Sequence, residues 1–103
     1  MPSFRVIIAV GVLRRGVAPQ SVLPAAAAAA AALTTLEASD LSVVRGAPRI
    51  TVRFTCDDDA TAVSVARQVT DATRRLTEVT TWNVTRRDGG RWYPVGVPPV
   101  SPL

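Results

Sequence analysis

The chain has 103 residues and a net charge of +4, from 12 basic side chains, all Arg, and 8 acidic ones. One Cys and no His exclude the usual zinc ligand sets and any Ser-His-Asp or Cys-His catalytic pair. A hydrophobic share of 48% against 19% charged excludes wholesale disorder, and the length is that of one domain.

Phe4 to Leu13 is β-branched and nearly continuous, which reads as a buried central strand. Arg14 to Gln20 is a loop. Ser21 reads as a helix N-cap, with Pro24 tolerated in the first turn. The residues to about Leu36, including the eight consecutive Ala from Ala25 to Ala32, favour a helix. Glu37 to Asp40 is expected to break it, leaving a short strand over 41–45 and a turn at 46–48. Residues 49–56 alternate strictly, with Ile50, Val52, Phe54 and Cys56 on one face and Arg49, Thr51, Arg53 and Thr55 on the other.

Asp57 to Asp59 open a second helix, where carboxylates favour the free N–H groups. Ala62, Val65, Ala66, Val69, Thr73 and Leu76 form its apolar stripe, at helical spacing. A fourth strand is expected over 79–87. Asp88-Gly89-Gly90 marks a hairpin turn, and Arg91 to Val95 returns as a short fifth strand. Residues 96–103 contain three Pro and read as an extended tail beyond a single domain of residues 1–95.

Two apolar runs near the N-terminus, 6–13 and 22–33, are each too short to cross a membrane as a helix. The intervening Arg14 and Arg15 spoil the pattern of a cleaved secretory signal. No membrane association is expected. A single Cys permits no disulfide within the chain, which fits a cytoplasmic setting. An Arg-only basic set with 16 Ala and 16 Val fits GC-rich coding.

The order strand, helix, strand, strand, helix, strand is the βαββαβ pattern of the ferredoxin-like fold, an α+β two-layer sandwich with both helices on one sheet face. Its sheet order would be 4-1-3-2. The expected core is Val6, Ile8, Val10, Ile50, Val52, Phe54, Val65, Val69 and Leu76. The opposite face would carry Arg5, Ile7 and Ala9 from the first strand. The third strand would add Arg49, Thr51, Arg53 and Thr55, and the fourth Thr81, Asn83 and Thr85. That fold serves many unrelated functions and names none of them.

The residues suggest a small non-enzymatic module that binds protein and self-associates, with no cofactor and no metal. The expected interaction surface is Arg86, Arg87, Arg91, Trp92 and Tyr93, because aromatics beside Arg are enriched at interfaces. Contacts from Arg5, Arg49 and Arg53 on the open sheet face would join it. A nucleic-acid-binding accessory protein is the alternative, with Arg residues touching phosphates. The sheet of RNA recognition domains carries stacking aromatics on its central strands, and here the aromatic of the third strand, Phe54, falls on the inward parity. A further alternative is a small-molecule regulatory domain of the ACT type, with its ligand near 11–19, although the Asp/Asn-x-Pro-Gly turn of that type is missing. Asp57 to Asp59 read as a cap rather than a cation site. Cys56 reads as a buried apolar residue, although a helix N-terminus nearby would lower its pKa.

Overall fold

The computed structural model describes residues 1–95, and the expected tail, 96–103, lies outside the described residues. Strand β1, Ser3–Leu13, buries Phe4, Val6 and Ile8 completely, while Arg5, Ile7 and Ala9 remain partly exposed. The run therefore has one buried face rather than the two a continuous apolar stretch suggests. Strand β3, Ala47–Thr55, pairs antiparallel with β1 so that Phe4, Val6 and Ile8 lie opposite Phe54, Val52 and Ile50. The Phe4 and Phe54 rings stack with centroids 6.1 Å apart. Phe4 shares the inward parity of Val6 and is a core residue that the sequence analysis passed over. Strand β4, Thr77–Asp88, pairs with β1 on the other side and places Val84 opposite Val6 and Trp82 opposite Ile8.

Helix α1, Val22–Leu33, follows a 3-10 turn at Pro19–Ser21. Ala26 and Ala30 are fully buried. Their small side chains allow a close approach where Val or Leu would hold the helix away. Ser21 stands at the N-cap position, but its hydroxyl makes no cap; it donates back to the Ala18 carbonyl at 2.6 Å. The helix stops at Leu33, three residues before the expected end. Thr34 is extended, and its hydroxyl donates to the Thr55 carbonyl. Strand β2, Thr35–Val44, thus begins inside the expected helix and runs through the break expected at 37–40. The cause is tertiary: pairing Leu36 with Phe54 and Asp40 with Thr51 satisfies the free edge of β3, and those ladder bonds override the helix propensity of Leu36 and Glu37.

The β2–β3 turn is Arg45-Gly46, with φ of 53° and 80°. Two successive left-handed residues make the two-residue turn whose twist suits a hairpin. The expected turn at 46–48 is therefore too late, and Ala47 and Pro48 already belong to β3. Helix α2, Asp59–Arg74, buries Ala62, Val65, Ala66, Val69, Thr70 and Thr73. Val10 and Leu76, expected in the core, only pack against its margin. A register shift between β1 and β4 beside Val10 turns that stretch away from the core. Here Gly11 allows a close approach: a Cβ on it would fall 2.6 Å from Oε1 of Glu78. The buried Thr77 hydroxyl ties this end of β1 down through the carbonyls of Gly11 and Val12, each at 3.1 Å.

Gly89 and Gly90, with φ of 59° and 89°, turn β4 into strand β5, Arg91–Pro94. The result is one antiparallel five-stranded sheet in the order β2-β3-β1-β4-β5 with two helices, an α+β architecture. The helices pack on each other and on the sheet. Among the described residues, no helix is long and apolar enough to cross a membrane.

Candidate functional site

The sheet face opposite the core gathers side chains from all five strands. Arg5 on β1 lies directly opposite Arg53 on β3, and Ala9 lies opposite Arg49. Like charges directly opposite one another cost stability in a sheet, so the Arg5–Arg53 pair needs compensation. Three contacts provide it. The Arg5 Nε donates to the Thr85 hydroxyl at 3.0 Å. The Arg53 Nε donates to Oε1 of Glu37 at 3.1 Å, forming an ion pair. The indole of Trp92 lies against both guanidiniums, with its ring centroid 4.4 Å from Cζ of Arg5 and 5.4 Å from Cζ of Arg53. At a partly exposed site each such cation–π contact stabilises by about 0.5–1 kcal/mol.

Glu37 reaches Arg53 because it is the extra residue of a bulge on β2, between the Leu36–Phe54 and Ala38–Arg53 pairs. The Ser3 hydroxyl, then the Arg53 guanidinium and the charge of Arg87, hold its carboxyl below the usual range. Trp92 reaches the face because the Gly89-Gly90 turn sets it opposite Arg87. Facing residues of two strands share a side of the sheet, so Trp92 shares the side of Thr85 and Arg87.

The expected interaction surface is thereby divided. Arg87 and Trp92 stand on the open face with Arg5, Arg49 and Arg53. Arg86 turns to the helix side, where its Nη1 donates to Oδ1 of Asp59 at 2.9 Å. Tyr93 lies opposite Arg86 and Arg91 opposite Asp88, and both are exposed. The register needed for this division is readable from the Asp88-Gly-Gly90 turn. The contribution of Glu37 is not, because it depends on a bulge where the sequence suggested a helix end.

The other marked residues have structural partners. Oδ1 of Asp58 accepts from the Thr61 backbone N–H at 2.7 Å and caps α2. That bond holds its carboxyl below the ordinary range. Burial pushes the Cys56 thiol up, and the charges of Asp57, Asp58 and Asp59 add to the rise; the expected lowering by the helix terminus is outweighed. Arg14, in the loop after β1, donates from Nε to the Arg74 carbonyl at 3.1 Å and so binds the C-terminal end of α2. Among the described residues, no three His, Cys, Asp or Glu side chains stand together as ion ligands.

A second feature lies at the far end of the sheet, on the helix-bearing side. A cavity of about 450 Å³ is lined by Val10, Leu13, Val22, Leu23, Leu41 and Ile50, among others. Leu41 and Val43, on the edge strand beside it, are 52% and 67% exposed. Apart from Leu36, every residue of β2 is exposed. Compared with known protein families, with curated proteins and with solved structures, the chain matches none.

Proposed function

We propose that the protein is a small, non-enzymatic assembly module that self-associates through the free edge of β2. The observation that carries this reading is a ten-residue edge strand whose last four residues, Leu41 to Val44, are apolar but for Ser42 and are exposed. Among the described residues this stretch of the edge carries neither bulge, charge nor cover, and such an edge offers a row of unpaired N–H and C=O groups to another strand. A second copy is its natural complement. Antiparallel pairing about a two-fold axis at Leu41 sets Leu41 against itself and Ser39 against Val43. The exposed Leu and Val side chains of each copy then close over the apolar cavity beside them.

In the same reading the chain is a ferredoxin-like sandwich with an added fifth strand. The neighbour relations β4-β1-β3-β2 and the two packed helices support it. The sole thiol, Cys56, buried and unpaired, supports a reducing, cytoplasmic setting.

Sedimentation equilibrium over a range of protein concentrations tests the association. Wild type is expected to dimerise, and Leu41→Lys with Val43→Lys to remain monomeric with an unchanged circular dichroism spectrum. A wild type that is monomeric at every concentration overturns the proposal.

A further inference from the structure

We propose that the open sheet face binds single-stranded nucleic acid without sequence preference, with Trp92 as the stacking platform and Arg5, Arg49, Arg53 and Arg87 contacting phosphates. This face lies opposite the helix-side cavity beside β2, so the inference does not depend on self-association.

Charge complementarity carries the argument. Four guanidiniums stand on this face against two carboxylates, that of Glu37, held by Arg53, and that of Asp40, opposite Thr51. Arg5 and Arg53 are a directly opposed like-charge pair in the middle of a sheet, a position where packing alone favours a neutral or opposite pair. The Thr85, Glu37 and Trp92 contacts offset that cost and hold both guanidiniums at the open face, and a local rule broken in this way marks where a functional site is sought. Arg49 and Arg87 are exposed. From Arg49 to Arg53 is four residues along β3, or about 13 Å at the strand rise, a span of two nucleotides of an extended backbone.

The second element is the indole. Trp92 is half-buried on this polar face rather than in the core. Binding to single strands without sequence preference combines a basic surface that follows the backbone with aromatic rings on which bases stack. A duplex hides its base faces, and reading it requires a helix or ribbon inserted in a groove; this face has neither. An acidic peptide would satisfy the charges but makes less use of a flat ring, and the large cavity able to anchor apolar side chains opens on the other side of the sheet.

The test is fluorescence anisotropy with a labelled oligothymidylate of about 12 nucleotides, in the site-size range of a single small domain, titrated at several salt concentrations. Four phosphate contacts predict a log–log salt slope of about −3, at about −0.7 per contact on single strands. Arg49→Glu with Arg87→Glu changes two exposed residues, leaves the fold intact by circular dichroism, and is expected to weaken binding more than tenfold and flatten the slope. Trp92→Leu is expected to weaken binding about tenfold or more, as loss of one stacked base implies. No binding of wild type at low salt overturns the proposal, as does binding that the double charge reversal leaves unchanged. Equal competition by polyglutamate, with Trp92→Leu as tight as wild type, overturns it in favour of an acidic protein partner.

Discussion

The two edges of the sheet are built in opposite ways. On one side β5 has four residues, begins with a charge at Arg91 and ends on Pro94. Short length, charge and proline are the means by which proteins stop a sheet from recruiting another strand. On the other side β2 has ten residues, and its protection is confined to the half with the Glu37 bulge and Asp40. Leu41 to Val44 carries neither charge nor proline. Among the described residues one edge is closed and the other half-open, so a continuation of the sheet has a direction.

The largest effect comes from the core that both edges share. Phe54, on the β3 strand of the β2–β3 hairpin, is fully buried and stacked on Phe4. Phe54→Ala is expected to cost about 3–5 kcal/mol, from lost transfer energy and the cavity left behind. Urea denaturation measures it, and a loss below about 1 kcal/mol would mean that the face does not hold the hairpin.

Grafting the protection of one edge onto the other sharpens the contrast. Leu41→Lys alone should change stability by no more than about 0.5 kcal/mol, as surface substitutions do, yet raise the dimer dissociation constant at least tenfold in sedimentation equilibrium. Arg91→Lys, on the closed edge, should leave association unchanged. An equal response at both positions would erase the distinction.

A stabilising change is expected away from both edges. The Thr70 hydroxyl on α2 is buried with no partner among the described residues. Thr70→Val removes that unsatisfied group at nearly constant shape and helix propensity. It should raise stability by about 1 kcal/mol, read as a higher thermal midpoint. A fall of that size would show that the hydroxyl has a partner.

The smallest effect is that of acid. The carboxyls of Glu37 and Asp58 are both held below their ordinary range in the folded protein. Their contributions are complete above the unfolded-state values near pH 4 and are lost as pH falls through the lower, folded values. Glu37 ties β2 to Arg53, and β5 carries no carboxylate. Corrected amide exchange at about pH 3 should therefore quicken on β2 more than on β5. Uniform quickening would count against the Glu37–Arg53 pair as a local clasp.

The contrast between edges was only half legible in the sequence. The alternation from Arg49 to Cys56 has one physical solution, a strand with Ile50, Val52 and Phe54 inward, and that solution is observed. The Asp88-Gly-Gly90 turn likewise placed β5, whereas the facing of Trp92 with Arg87 and away from Arg86 comes from the register of β4 and β5. The strand character of Leu36 to Asp40 was hidden because Leu, Glu and Ala are good helix formers, and the partner that makes them a strand, residues 51–54, is distant in sequence. The turn at Arg45-Gly46 was missed because a left-handed Arg has no composition signal. At the candidate face, parity gave Arg5, Arg49 and Arg53, whereas their opposition across β1 and β3 and the approach of Glu37 arise from register and a bulge, which a single strand's pattern does not encode.

Cys56 gives the molecule a chemical clock. It is the sole thiol, 2% exposed at the junction of β3 and α2, and its raised pKa leaves little thiolate at neutral pH. An aromatic disulfide reagent can reach it only when that junction opens. The labelling rate therefore counts openings of the segment that holds β3 against α2. Compared with the global unfolding rate, it tells whether the hairpin bearing the half-open edge detaches alone or only with the whole fold.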